Sequence, residues 1–170
     1  MVTALTLLGI AAPSAHAQAV TVGPTFSVVG VQGVGLHPGL RLGYEPSPSA
    51  SFELLADTSL DGRWDAGLGL AGRLWMVEDD GAGIYGLGRF AAGVAGRDQD
   101  VGPWTYLALG FGGRPVPLLD LAVAVGPEWA VTDGARWRSE LSLSFVLSAD
   151  TLGTGAGRGS VRHNPRAVPQ

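Results

Sequence analysis

Nine charged residues occupy the same parity of segments in which apolar and polar residues alternate. On one shared face they would form ion pairs or line a path for ions. They are Arg41, Glu53, Arg73, Arg89, Arg114, Asp120, Glu128, Arg138 and Glu140. Large apolar residues occupy the other parity of most of these segments, so charges of both signs would share one face. Charges withdrawn from water require partners of opposite sign. We therefore predict a structural ion-pair network, with gated passage of ions or protons as the alternative.

Nucleophilic catalysis would have to use His37, because His16 and His163 lie in the terminal segments. A triad would combine His37 with a serine such as Ser27 and with Glu45. No recognisable enzyme motif surrounds these residues, and a lone interior histidine is more often structural. We predict no catalytic residues and no enzyme activity.

Two further patterns resemble ligand-binding motifs, but the surrounding sequence does not fit such sites. Residues 67–72 spell G-x-G-x-x-G, but they lie inside an alternating segment that no helix follows. We interpret Gly67 and Gly69 as residues that relieve crowding. Four acids near predicted loops could collect divalent cations, but their spacing does not match a calcium loop, and we interpret them as solvated charges: Asp57, Asp61, Asp98 and Asp100. Cysteine is absent, and we predict no cofactor and no metal.

Eight alternating segments carry all of these residues, and we predict each of them to be a β-strand. The predicted strands cover residues 20–32, 36–46, 50–58, 63–77, 83–96, 103–114, 117–132 and 135–149. Turn-forming residues separate them, and Asp133-Gly134 between two alternating runs predicts a type I′ hairpin.

The alternation assigns an apolar face to lipid and a polar face to a lumen. The clearest lipid-facing residues are Leu68, Leu70, Leu121, Val123, Leu141, Leu143 and Phe145. Aromatic residues of the same parity near strand ends predict a belt at the membrane interface: Tyr44, Trp64, Trp129 and Trp137. The third, fifth and sixth strands are less regular, because Leu55, Leu87 and Trp104 fall on the luminal parity.

The two ends of the chain differ from the part between them. Residues 1–17 contain an apolar run that ends at Ala15-His16-Ala17, which predicts a signal peptide cleaved after Ala17, although a basic start is missing. Residues 18–150 form the predicted barrel domain. Residues 151–170 are rich in Gly, Arg and Pro without apolar periodicity, which predicts a disordered tail.

Composition excludes several classes of protein. Residues 1–150 hold eight arginines against fifteen acids, so nucleic acid is not an expected partner. Beyond the leader, no apolar run is long enough for a membrane-spanning helix. The alternative architecture is a soluble, secreted, lipocalin-like barrel with its apolar face inward, but Gly, Ala and Ser dominate the face that would then meet water.

Residues 20–149 resemble the small outer-membrane β-barrel proteins, such as the transmembrane domain of outer-membrane protein A. The resemblance lies in strand pattern and in the alternating apolar positions Leu141, Leu143, Phe145 and Leu147 of the last strand. It departs where about twenty residues follow that strand. It implies an all-β, eight-stranded, antiparallel, up-and-down transmembrane β-barrel.

The same resemblance implies a place in the cell and a set of partners. The expected location is the cell outer membrane, reached by export, and the expected partners are outer-membrane lipids and the barrel-assembly machinery. The connections near 45–51, 77–83 and 113–118 would face the periplasm, and the chain would be a monomer with a filled lumen. The expected role is structural or a surface interaction, and a lipid-modifying membrane enzyme is the alternative.

Overall fold

The computed structural model describes residues 18–30, 35–79 and 82–148, and the secondary structure there consists of eight β-strands. Their bounds are β1 Ala19–Gly30, β2 Gly35–Ser47, β3 Ala50–Thr58, β4 Arg63–Asp79, β5 Ala82–Arg97, β6 Asp100–Val116, β7 Leu119–Ala130 and β8 Gly134–Ser148. The predicted leader and tail lie outside the described residues. No described helix is long and apolar enough to cross a membrane.

The strands form a closed antiparallel barrel in chain order, and β1 pairs with β8 to complete it. The predicted all-β, eight-stranded architecture is confirmed. The first residues of β1, β3, β5 and β7 and the last residues of β2, β4, β6 and β8 lie at one end of the barrel, which we call the terminal end. The opposite ends of these strands lie at the other end of the barrel, which we call the far end. Closure leaves no unpaired strand edge.

Side chains alternate across the barrel wall in the sense that the sequence predicts. In the described ranges, 34 large apolar side chains are exposed, whereas arginines and carboxylates are buried. Leu55, Leu87 and Trp104 also lie inside, at 1–4% exposure. A water-soluble barrel would bury its apolar side chains instead, so this distribution disfavours the lipocalin-like alternative.

The interior is crowded enough to require small residues at the sites that the sequence singles out. A Cβ added to Gly69 would lie 3.0 Å from Leu55 Cδ1. A Cβ added to Gly67 would lie 2.5 Å from the Ala92 carbonyl oxygen. The glycines at 67 and 69 therefore leave room for neighbouring groups, as the crowding interpretation requires.

Several strands extend further than predicted. The sixth strand is predicted to start at Pro103, but it runs from Asp100, and Pro103 pairs with Val94 of β5. The fourth strand continues to Asp79 through an irregularity between Trp75 and Val77. The seventh strand is shorter than predicted, because the first two and the last two predicted residues belong to the turns on either side of it.

The type I′ prediction for Asp133-Gly134 is wrong. A type I′ turn requires positive φ at both central residues, and among described non-glycine residues only Asp98 has one. Ala130 pairs with Gly134 across a three-residue turn, in which the Asp133 N–H donates to the Ala130 carbonyl over 3.2 Å. Of the residues in this hairpin connection, only Gly134 has a left-handed backbone conformation, with a φ of 74°.

A Gly134→Ala substitution should therefore destabilise the barrel by about 1 kcal/mol, because a Cβ disfavours left-handed backbone. Gly72→Ala is the matched control, since Gly72 lacks a positive φ and has nothing within 4 Å of an added Cβ. Urea unfolding of the detergent-solubilised barrel measures both. Equal unfolding midpoints for the two variants would contradict the turn geometry.

Candidate functional site

The charged interior is the candidate functional site, and its opposite charges balance. Among the described residues, seven acids are buried together with six arginines, and a seventh arginine, Arg136, has a side chain 12% exposed. These charges form three clusters along the barrel axis, which we call the far, middle and terminal clusters. Each cluster joins strands that are distant in sequence.

Arg138 of β8 lies at the centre of the far cluster and contacts three carboxylates from three other strands. Its Nη1 lies 3.2 Å from Asp65 Oδ1 and 3.1 Å from Glu128 Oε2. Its Nη2 donates to Asp57, and its Nε donates to Ser27 Oγ over 3.1 Å. Arg138 has 0% exposure, so one buried cation links β1, β3, β4 and β7 to β8.

The remaining contacts of the far cluster surround Glu128 and the face of Arg138. Arg63 Nη2 and Arg136 Nη2 each donate to Glu128 Oε1 over 2.6 Å. The Arg138 Cζ lies 5.3 Å from the Tyr106 ring centroid and 5.7 Å from that of Trp104. A guanidinium at these distances is attracted by the ring faces, which adds to the carboxylate contacts.

The middle cluster consists of two arginines that share two glutamates. Arg89 Nε donates to Glu53 Oε2 over 2.9 Å, and its Nη1 donates to Glu140 Oε1 over 2.6 Å. Arg41 donates to the same Glu140 oxygen and lies 3.5 Å from Glu53. The four side chains come from β2, β3, β5 and β8, so this cluster spans the lumen.

The terminal cluster repeats this arrangement with a tyrosine added. Arg114 Nη2 lies 2.6 Å from Glu45 Oε1, and its Nε lies 2.9 Å from Asp120 Oδ2. Arg73 Nη2 lies 2.7 Å from the same Glu45 oxygen and 3.7 Å from Asp120 Oδ2. The Tyr85 hydroxyl donates to Asp120. Each carboxylate thus contacts two arginines.

Little space remains between the middle and terminal clusters. The cavity bounded there by Arg41, Arg73, Tyr85 and Arg89 measures about 10 Å³, which is close to the space of a single water. All nine residues predicted for the ion-pair network lie in these three clusters. Missing from the prediction were Glu45, Asp57, Arg63, Asp65 and Arg136, although each shares the parity of a predicted neighbour on its strand.

The three residues considered for a catalytic triad do not meet at one site, because Glu45 lies far from the other two. Ser27 is paired with His37 across β1 and β2, but Ser27 Oγ accepts a hydrogen bond from Arg138. Glu45 belongs to the terminal cluster, about 26 Å along β2 from His37. The carboxylate near His37 is Asp65, whose Oδ2 lies 3.9 Å from Nδ1.

The interpretation of Asp57 as a solvated loop charge is wrong. Asp57 is 5% exposed, accepts a hydrogen bond from Thr25 over 2.7 Å and pairs with Arg138. Asp61, Asp98 and Asp100 are exposed. Within the described ranges, no group of three or more His, Cys, Asp or Glu residues is arranged to hold a metal ion.

A cavity of about 860 Å³ opens at the far end, above the far cluster, and we call it the vestibule. Its charged lining is Arg63, Arg97, Arg136, Asp61 and Asp133, with His37 beside them. The Ser59 hydroxyl donates a hydrogen bond to Asp61 and lowers the pKa of that carboxyl, and Arg97 lowers it further. Asp61 therefore stays ionised at neutral pH.

The residues predicted to face lipid lie on the outer wall. Exposure is 67% at Leu68, 40% at Leu121 and 53% at Phe145. Leu143 is partly exposed on the same wall. The four residues predicted for the aromatic belt are also exposed, with Trp64, Trp129 and Trp137 near the far end and Tyr44 near the terminal end.

No protein-family model matches the chain, and no curated protein matches it in sequence. Solved structures do match its fold. The N-terminal β-barrel domain of Pseudomonas aeruginosa OprF has a TM-score of 0.55 at 13% identity, covering 76% of this chain and 97% of that one. Neisserial surface protein A gives 0.53 at 13% identity, covering 77% and 96%. A designed transmembrane β-barrel gives 0.54 at 13% identity, covering 76% and 95%. The chain has the fold of the small eight-stranded outer-membrane barrels.

Proposed function

We propose that this protein is an outer-membrane β-barrel with a structural or surface-interaction role and a filled lumen. The observation that carries the proposal is the arrangement of the wall, in which large apolar side chains face outward and paired charges face inward. Contact of the apolar wall with water would carry a large free-energy cost, whereas contact with hydrocarbon would not. The similarity to solved outer-membrane barrels supports the same location.

The dimensions of the strands fit this location. The strands run from 9 to 17 residues, and a tilted strand needs about 9–11 residues to cross the hydrocarbon layer. We propose that the chain is exported by a leader cleaved after Ala17 and inserted by the barrel-assembly machinery as a monomer. The terminal end would then face the periplasm, and the far end with its vestibule would face outward.

The packing of the lumen supports a role other than diffusion. The middle cluster crosses the barrel, and the space beside it is about 10 Å³. Moving an ion through would require separating buried pairs such as Arg89 and Glu140, which lie 2.6 Å apart.

Purified protein in planar lipid bilayers should therefore show no sustained ion current, while gel migration that changes on heating shows that it is folded. A Glu140→Ala variant should stay non-conducting, because Glu53 still lies 2.9 Å from Arg89 and holds it in the lumen. Steady channel openings by the unmodified protein would contradict the filled-lumen role.

Membrane fractionation tests the location and role together. We expect the protein in the outer-membrane fraction, without the leader and resistant to extraction by carbonate. Recovery in the soluble fraction after leader removal would contradict the proposal. Lipid modification that disappears in a folded His37→Ala variant would favour an enzyme over the structural role.

A further inference from the structure

The vestibule contains an arrangement that the ion-pair network does not require. Three guanidiniums, those of Arg63, Arg97 and Arg136, surround the carboxylate of Asp133, which lies in the turn before β8. Arg63 comes from β4, Arg97 from β5 and Arg136 from β8. We call these three arginines the arginine cradle.

The Asp133 carboxylate fits this cradle loosely. Its oxygens lie 3.7 Å from Arg63 Nε, 3.4 Å from Arg136 Nη1 and 4.0 Å from Arg97 Nη1. Charge-assisted hydrogen bonds between guanidinium and oxyanion are about 2.7–2.9 Å long. The same Arg63 and Arg136 reach 2.6 Å to Glu128, so the arginines form short contacts where geometry allows.

Donors in the cradle are left over after these contacts. Arg63 Nε and Arg136 Nε are buried and have no hydrogen-bond acceptor within the described residues. Arg63 is only 2% exposed, so its unpartnered Nε is withdrawn from water. A buried donor without an acceptor costs free energy that a suitable ligand would recover.

The number of N–H donors in the arginine cradle indicates what kind of anion would suit it. A carboxylate has two oxygens, and Asp133 Oδ2 already accepts from Thr132 over 2.7 Å and faces both Arg63 and Arg136. A tetrahedral oxyanion has more oxygens and is not tethered to a turn. Arginine also suits phosphate and sulfate geometry through paired N–H donors.

The balance of charge determines how such an anion would enter. The far cluster and the vestibule together hold the cradle and Arg138 against five carboxylates, those of Asp57, Asp61, Asp65, Glu128 and Asp133. An added anion would make this excess larger. Entry therefore has to be an exchange, in which the Asp133 side chain leaves the cradle.

We propose that the arginine cradle is an oxyanion-binding site for a phosphate or sulfate group and that Asp133 occupies it in the free protein. The exchange moves one partly buried carboxylate in the turn before β8 while the strands of the barrel stay unchanged. The site goes beyond the proposed structural role, because binding is measurable in detergent whatever the location of the barrel.

The test uses the full mature chain in detergent, with the arginine Nε–H signals followed by NMR during titration with inorganic phosphate. Asp133→Asn removes the competing charge, so we expect about tenfold tighter phosphate binding than in the unmodified protein. An added Arg97→Gln should abolish that gain. Circular dichroism confirms that each variant is folded.

Asp98→Asn is the matched control, because it removes one exposed loop carboxylate of the far end outside the cradle. It should leave phosphate affinity unchanged. Equal gains from Asp98→Asn and Asp133→Asn would show a general charge effect and overturn the proposal. No saturable shift of the Arg63 and Arg136 signals in Asp133→Asn would also overturn it.

Two arms of the experiment distinguish the sources of the oxyanion. In phosphatidylcholine vesicles, addition of phosphatidic acid without free phosphate tests a lipid headgroup. Addition of inorganic phosphate to pure phosphatidylcholine vesicles tests a soluble ligand. Shifts of the cradle signals in either arm support the site and identify its source, and their absence in both contradicts it.

Discussion

Replacing Arg138 with methionine should lower the free energy of unfolding by about 3–5 kcal/mol. The methionine side chain fills part of the same space without a charge. The carboxylates of Asp57, Asp65 and Glu128 would stay inside the barrel without the cation that contacts all three. Since each carboxylate comes from a different strand, repulsion among them would act against barrel closure.

Urea unfolding in detergent, monitored by tryptophan fluorescence, measures this loss. Arg97→Met is the control, because the Arg97 side chain is 47% exposed and its ion pair with Asp61 is screened by water. An exposed pair of this kind contributes about 1 kcal/mol or less. If Arg138→Met cost no more than Arg97→Met, the far cluster would not stabilise the barrel.

Replacing Leu70 with arginine should destabilise the barrel in a lipid bilayer by about 2–4 kcal/mol. Leu70 lies near the middle of β4, and its side chain is 52% exposed on the outer wall. If the outer wall faces hydrocarbon, arginine at this height loses hydration and finds no buried partner. In a water-soluble barrel, the same exposed substitution would change stability by about 0.5 kcal/mol or less.

Leu60→Arg provides the matched control, because Leu60 is 91% exposed in the connection between β3 and β4. The same chemical change there should leave the unfolding free energy nearly unchanged. Unfolding in phosphatidylcholine vesicles compares the two variants. Similar stabilities for Leu70→Arg and Leu60→Arg would contradict a lipid-facing wall.

The strands and their inward faces were predictable because a β-strand has a period of two residues. In β8, Arg138 and Glu140 alternate with Trp137 and Leu141, and this alternation alone separates the inward face from the outward face. The irregular strands were predictable in the same way, since parity places Trp104 inside despite its size. Register irregularities such as the one between Trp75 and Val77 leave no comparable pattern in the sequence.

The membership of the ion-pair clusters was predictable only in part. Parity identifies Asp65 and Glu45 as inward residues, but the predicted network did not include them. Asp57 was missed because it was interpreted as a solvated loop charge. Which charges meet was not predictable, because that depends on the stagger between strands. The contact of Arg138 with Asp57 joins residues 81 positions apart, and no local pattern specifies it.

The vestibule was not predictable from the sequence, because it also depends on how the strands are arranged around the barrel. Arg63 begins β4, Arg97 ends β5 and Arg136 is the third residue of β8. No local pattern in the sequence indicates that these three arginines surround Asp133. The Asp133-Gly134 pair predicted a hairpin turn but no role for the Asp133 side chain. Closure of the barrel brings the three arginines and the Asp133 side chain together.

Site-directed spin labelling in lipid vesicles tests the orientation of the wall most directly, because the chain has no native cysteine. Single cysteines would replace Leu141 and Phe145 on the outer wall, and Ser142 and Ser144 inside. We predict high collision rates with oxygen, which concentrates in hydrocarbon, for labels at 141 and 145, and low rates at 142 and 144. Low rates at 141 and 145 together with high rates at 142 and 144 would contradict the account.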